Sequence, residues 1–187
     1  MRRVIFIRHG ATAGNAEKRY IGRTDETVTA QSLAALKARA YPPADTVYTS
    51  PMKRCVQTAE VIYGGADGVI YDMRECDFGD FEGKNYLELG GNASYQAWID
   101  SNGTLPFPNG EAHDEFKARC AAAFLSALDD GGEGGETVAF VVHGGTIMAV
   151  LERFGDPPGD FYAWHVGNGE GFETEFDGVK LRAVKKI

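Results

Sequence analysis

Two histidines close two short apolar runs at widely separated points of the chain, Val4-Ile5-Phe6-Ile7-Arg8-His9-Gly10 and Ala139-Phe140-Val141-Val142-His143-Gly144-Gly145. Each run has the β-branched and aromatic content of a buried strand and stops on a histidine followed at once by glycine. A histidine nitrogen can attack phosphorus when its ring is held in the right tautomer and nearby negative oxygens are neutralised. Arg8, beside His9, carries a forked set of donors able to grip phosphoryl oxygens. Arg54 follows Ser50-Pro51, which reads as a helix start with the serine as cap and the proline at the first helical position. The free amides and dipole of such a start suit an anion. His143 also opens into a helix, after glycines that let backbone approach a ligand closely. In an open parallel sheet, ligands sit beyond the C-terminal ends of strands, so Arg8, His9, Arg54 and His143 converge on one ligand if the two strands are neighbours. Taken alone, Arg8-His9 reads as a polar strand end facing solvent and Arg54 as a surface arginine; it is the convergence of several such sites that points to a ligand.

The elements that must position these residues alternate. Leu33, Leu36 and Ala40 mark a helix over 30–40, stopped by Pro42-Pro43, and Val47 to Thr49 a short strand. Val56, Ala59 and Ile62 give the next helix its apolar face until Gly64-Gly65, and Val69 to Tyr71 is a third strand. Phe116, Cys120, Phe124 and Leu128 recur every four residues and predict a helix over 113–129. Gly131 to Gly135 is expected to be a surface turn leading into the strand Val138 to Val142. Ile147, Val150, Leu151 and Phe154 continue as a helix ended by Gly155 and Pro157-Pro158. A hairpin, Phe172 to Phe176 and Val179 to Val184, turns at Asp177-Gly178. The alternation predicts an α/β sandwich with a mostly parallel central sheet, its final strands at an edge, in a single domain spanning 1–187. The stretch 80–110 is irregular yet holds Phe81, Tyr86, Leu87, Tyr95, Trp98 and Phe107. A lid over the site and a subdomain insertion packed against the sheet both account for that aromatic load.

With 187 residues, 43% hydrophobic, and a formal charge of -8, the chain is an acidic globule. That charge argues against a nucleic-acid or anionic-membrane partner, which would ask for a basic face. Cys55, Cys76 and Cys120 lack close paired spacing, so neither a disulfide framework nor a zinc site is expected, and reduced thiols point to the cytoplasm. Met1-Arg2-Arg3 precedes an apolar run of only Val4 to Ile7, a first strand rather than a signal peptide.

The motif series resembles the histidine phosphatase superfamily, the phosphoglycerate-mutase-like enzymes. The resemblance is carried by Arg8-His9-Gly10-Ala11-Thr12 with Asn15, by Gly22 with Asp25 and Thr29, and by the run from Ser50 to Ala59. Glu75-Cys76-Asp77-Phe78-Gly79-Asp80-Phe81-Glu82-Gly83 is similar to the family's acid-bearing segment, and His143-Gly144-Gly145 to its second histidine segment. It implies a three-layer fold with helices on both faces of the sheet and no metal or other cofactor. It implies His9 as the nucleophile that becomes phosphohistidine, with Arg8, Arg54 and His143 binding phosphate and stabilising the transferring group. Thr12, Asn15, Gly22 and Gly144 would be substrate-binding positions. Glu75 would protonate the leaving oxygen and then help water hydrolyse the phosphohistidine. Family position alone selects Glu75 from Asp72, Asp77, Asp80 and Glu82. The chain departs from the family pattern at Ala11, Ser32, Phe81 and Ala112.

These implications give a metal-independent histidine acid phosphatase or related phosphomonoesterase acting on a small phosphorylated metabolite, as monomer or homodimer. Lys84 is the one basic residue between Asp80 and Gly110, so a second phosphate has little to meet it, and hydrolysis is favoured over phosphoglycerate mutase activity. Tyr20 to Asp25 and Pro108 to Glu111 followed by Arg119 most resemble the alpha-ribazole phosphatase branch. A broad-specificity small-molecule phosphatase and a noncatalytic phosphate-dependent binding protein are the alternatives.

Overall fold

In the computed structural model, which describes residues 1–130 and 136–187, the first apolar run lies inside the sheet rather than at its rim. The run is β1 (Arg2–Arg8), followed by the helices α1 (Ala13–Ala16) and α2 (Ala30–Ala38). Next come β2 (Thr46–Thr49), α3 (Lys53–Tyr63), β3 (Gly68–Val69), α4 (Ala93–Asp100) and α5 (His113–Asp130). β4 (Thr137–Val142), α6 (Gly144–Phe154), β5 (Gly171–Phe176) and β6 (Leu181–Lys186) complete the described elements. The sheet order is β3-β2-β4-β1-β5-β6. β1 to β4 run parallel, while β5 and β6 add antiparallel strands at one side.

Successive strand residues point to opposite faces, so a strand covered on both sides must be apolar throughout. Val4 and Phe6 join a large core with Phe116, Phe124 and Leu128 of α5 and Ile147, Val150 and Leu151 of α6. Ile5 and Ile7 face the other way, onto Val47 and Ala59, where α3 packs. The expected α/β three-layer fold with helices on both faces is therefore the fold of the chain.

Several element bounds differ from the sequence expectation, each for a local reason. α3 begins at Lys53 with Met52 as N-cap and no side-chain cap, because the Ser50 hydroxyl is engaged by His143. The third strand ends at Val69, and Tyr71–Met73 is a 3-10 turn that sends the Met73 side chain into the core. The last strand starts at Leu181 rather than Val179, since Asp177 Oδ1 accepts the amides of Val179 and Lys180 at 2.9 and 2.7 Å. The expected turn at 131–135 lies outside the described residues. Within 80–110, Phe81 and Phe107 are buried with the main core, and Tyr95 and Trp98 pack against it. Among the described residues, no helix is long and apolar enough to cross a membrane.

Candidate active site

Parallel pairing sets Arg8 beside Val142, so the next residue of each strand, His9 and His143, leaves the sheet at the same point. Their ring centroids are 5.2 Å apart, nearly edge to face at 68°. His9 Nδ1 lies 2.8 Å from the Gly10 carbonyl. A carbonyl can only accept, so Nδ1 carries the proton and Nε2 keeps its lone pair, with no protein partner among the described residues. Burial, reinforced by the positive charges of Arg54 and Arg8, holds the His9 imidazole well below its ordinary value. The same causes act on His143, which is fully buried and meets Ser50 Oγ through Nε2 at 2.7 Å. Cys55 Sγ lies 3.5 Å from that nitrogen, and burial pushes its thiol up to about 12, so it stays protonated.

Arg54, in the first turn of α3, is fully buried. Its Nη1 donates to the Thr24 carbonyl at 2.7 Å and its Nη2 to the Gly22 carbonyl at 2.9 Å. That loop is pinned in turn by Glu82, whose Oε1 accepts both backbone amides and the Thr24 hydroxyl at 2.8 to 2.9 Å. Gly22 has no room for a side chain, because a Cβ there would stand 2.0 Å from the Cys76 carbonyl oxygen. Arg8 donates through Nη1 to the Val166 carbonyl at 2.6 Å. The Nε atoms of Arg8 and Arg54 are both buried without a hydrogen-bond partner. Neither guanidinium has an ion pair with a carboxylate among the described residues, so two desolvated cations share a place that an anion would neutralise.

Glu75 is half-buried beside the start of α6. Its Oε2 accepts the Gly145 amide at 3.0 Å and its Oε1 accepts the Cys76 amide at 2.9 Å. A Cβ on Gly145 would lie 2.1 Å from Oε1, so only glycine lets the carboxylate reach the helix terminus. Thr12 caps α1 and exchanges hydrogen bonds with Asn15. Asn15 Oδ1 accepts Asn168 Nδ2 at 3.1 Å, and that same nitrogen donates to the His9 carbonyl at 3.0 Å. Gly144 lies against the Arg8 guanidinium.

Arg8, His9, Arg54 and His143 thus share one electrostatic pocket, with Glu75 tied to its edge through Gly145. Thr12 and Asn15 are linked to His9 through Asn168, whereas Gly22 stands behind Arg54 and holds it by its carbonyl. Sequence reasoning missed Ser50, Thr58, Gly145 and Asn168 as site residues. Thr58 Oγ1 accepts the Gly10 amide at 2.9 Å and donates to the Arg54 carbonyl at 2.7 Å, joining the His9 turn to α3. Ser50 and Thr58 stood in the same motif as Arg54, which was the available signal; Asn168 lies in a stretch with no pattern. The Ser32 departure also has a use, as its hydroxyl accepts the Ala11 amide at 2.8 Å.

A cavity of about 310 Å³ is bordered by Arg8, Glu75, Gly144 and Gly145 and extends between Tyr20, Phe78, Trp98, Phe107, Phe161 and Tyr162. His113 and His165 also line it, and burial lowers both imidazoles below their ordinary value. Arg8 and Glu75 are the other ionisable groups, tyrosines aside, on its wall. A second cavity of about 300 Å³ also borders Glu75 and is lined by Arg23, Arg74 and Arg119 with Asp77 and Glu111. Here each arginine has a carboxylate: Arg23 with Asp77, Arg74 with Asp72 and Arg119 with Glu111. Among the described residues, no cluster of three His, Cys, Asp or Glu side chains is placed to hold a metal ion.

The chain belongs to the histidine phosphatase superfamily (branch 1), whose profile matches residues 4–186. It is 31% identical over 163 residues to phosphoglycerate mutase-like protein 4 of Arabidopsis thaliana, covering 80% of this chain and 70% of that one. A 2,3-bisphosphoglycerate-dependent phosphoglycerate mutase of Bifidobacterium longum is 25% identical over 188 residues, with 80% and 76% covered. The crystal structure of the alpha-ribazole phosphatase from Shigella flexneri superposes with a TM-score of 0.79 at 22% identity, covering 96% of this chain and 93% of that one.

Two outcomes follow from the geometry. Below about pH 6.5 the unfolded chain takes up protons that buried His9 and His143 refuse, so stability falls as pH drops, by up to about 1.4 kcal/mol per pH unit for each ring. Urea unfolding between pH 7 and 5 checks this, with the slope expected to be shallower in a His9→Asn/His143→Asn variant. Gly145→Ala is expected to keep α6, since alanine favours helix, but to displace the Glu75 carboxyl and lower enzymatic turnover by about a hundredfold. Circular dichroism and steady-state assays of the same preparation test both halves of that expectation.

Proposed function

We propose that this member of the histidine phosphatase superfamily hydrolyses a phosphomonoester through a phosphohistidine formed on His9. The observation that carries the reading is the Nδ1–H to Gly10 carbonyl bond at 2.8 Å, which leaves Nε2 as an unprotonated nucleophile within a positive pocket. In the first step Nε2 bonds to phosphorus as the ester P–O bond breaks, and the Glu75 carboxyl gives its proton to the departing oxygen. Arg8 and Arg54, which lack carboxylate partners, take up the charge of the phosphoryl oxygens, and their stabilisation grows as that charge spreads in the transition state. In the second step water attacks phosphorus, Glu75 takes its proton, and the P–N bond breaks to release phosphate and restore His9. The same carboxyl serves both directions because the second transfer reverses the first. His143, its Nε2 held by the Ser50 hydroxyl at 2.7 Å, stays neutral and stands edge to face against His9, so it supports the His9 ring without adding charge.

For the leaving alcohol we assign an uncharged aromatic group, and alpha-ribazole phosphate is the candidate substrate. The support is the aromatic cavity, whose two histidines are shifted away from the charged form, together with the likeness of the fold to the Shigella flexneri enzyme. A mutase substrate with a carboxylate or second phosphate needs a further free cation. Lys84 does not line the aromatic cavity, and the arginines of the second cavity are already paired.

Incubation with a labelled phosphomonoester, quenched in alkali, is expected to trap phosphate on the wild-type protein and none on His9→Ala. Glu75→Gln is expected to lower turnover by about 10²- to 10⁴-fold. Unchanged hydrolysis by His9→Ala would overturn the mechanism. Equal kcat/KM for alpha-ribazole phosphate, phosphoserine and 3-phosphoglycerate would overturn the substrate assignment alone.

A further inference from the structure

The segment that carries Glu75 has little regular structure of its own. It leaves the 3-10 turn Tyr71–Met73 at Arg74 in an extended conformation and reaches the next 3-10 turn only at Gly79–Phe81. A proton donor must stand within hydrogen-bond reach of the departing oxygen, and an error of about 1 Å costs about a hundredfold in rate. An irregular strand needs to be held from outside to meet that tolerance.

One ion pair holds it. Arg119, in α5, meets Glu111, just before that helix, at two points: Nε to Oε1 at 2.6 Å and Nη2 to Oε2 at 2.8 Å. The remaining guanidinium donors go to the backbone of the Glu75 segment. Nη1 donates to the carbonyls of Asp72 and Arg74 at 2.7 and 2.9 Å, and Nη2 to the Glu75 carbonyl at 3.1 Å. The five N–H groups of a guanidinium are thereby all used. Glu111 completes the grip, since its Oε2 accepts the Asp77 amide at 3.3 Å and its own amide donates to the Asp77 carbonyl at 2.9 Å. The pair is largely withdrawn from solvent, its side chains 16% and 17% exposed, and the guanidinium lies over the Phe116 ring at 4.9 Å. Arg119 thus fixes the main chain of Glu75 while Gly145 and Cys76 fix its carboxylate.

We propose that the Arg119–Glu111 pair is a positioning device for proton transfer by Glu75, setting the height of the carboxyl above the leaving oxygen. The inference rests on the reading of Glu75 as the acid and base of the reaction. Neither partner contributes to forming the P–N bond, so the device matters in proportion to how much the leaving group needs a proton. Lysine at 119 retains the charge but loses the planar fork that reaches three carbonyls and a carboxylate together.

The test compares benzyl phosphate with 4-nitrophenyl phosphate. Both present an aromatic ring, but the benzyl alkoxide leaves poorly without a proton and nitrophenolate leaves well. We expect Arg119→Lys and Glu111→Gln to lower kcat/KM for benzyl phosphate by about ten- to a hundredfold, with less than about a threefold change for 4-nitrophenyl phosphate. A merely structural loss removes active protein and lowers both substrates equally; that result, or no loss on either, overturns the proposal. Thermal unfolding of each variant reports the folded fraction. Should Arg119→Lys fail to fold, Glu111→Gln keeps the guanidinium and its carbonyl bonds and gives the same comparison. Glu75→Gln is the reference: if it shows the leaving-group preference and the pair variants do not, the positioning role alone fails. If Glu75→Gln shows none, the acid–base reading falls and takes the proposal with it.

Discussion

A guanidinium sealed from water without a carboxylate beside it is costly, because carbonyl dipoles solvate the charge without cancelling it. Arg54 is in that condition, and Arg8 shares its surroundings. The loop Gly22–Thr24 bends its carbonyls toward Arg54, Glu82 pins that loop, and glycine at 22 permits the close approach of the Cys76 carbonyl. The same uncompensated charge reaches the histidines. It adds to burial in keeping protons off His9 and His143, so one electrostatic arrangement both calls for an anion and leaves the His9 Nε2 lone pair free.

Geometry in the pocket is set by neutral hydrogen bonds that join elements remote in sequence. Thr58 ties the turn after β1 to α3, Ser50 ties β2 to His143, and Asn168 ties the approach to β5 to His9. Each bond is worth little alone, but together they leave the site few ways to relax. The Glu75 side of the pocket is built differently. Glu75 sits on irregular chain, and charged side chains from α5 and its approach replace the rigidity that a helix or strand would have supplied.

How much of this was legible depended on how local the cause was. β1 and β4 were readable because a strand buried on both faces must be apolar at every position, and α5 because its apolar residues recur every fourth position. The convergence of His9 and His143 was conditional on strand order, which no local pattern contains. Ser50 shows the limit well: the Ser-Pro pair has the form of a helix cap, yet a histidine from β4 captures the hydroxyl and the helix starts later. Glu75 could not be separated from its acidic neighbours by residue type, since what distinguishes it is the Gly145 amide, 70 positions away. The aromatic residues of 80–110 looked anomalous for a loop; Phe81 and Phe107 belong to the core, while Trp98 and Phe107 also face the cavity.

The pairing of β1 with β4 has a meaning for the birth of the protein as well as for its chemistry. Val4 to Ile7 are apolar toward both sides of the sheet, and their parallel partner is Val138 to Val141. On a ribosome moving at about 5–20 residues per second, the first strand emerges on the order of ten seconds before its neighbour exists. Its antiparallel partner, β5, comes later still. The nascent chain therefore carries a sticky, unpaired segment through most of its synthesis, and such long-range closure makes for slow folding. The join that gathers the site from distant parts of the chain is thus also what leaves the unfinished molecule most exposed to aggregation.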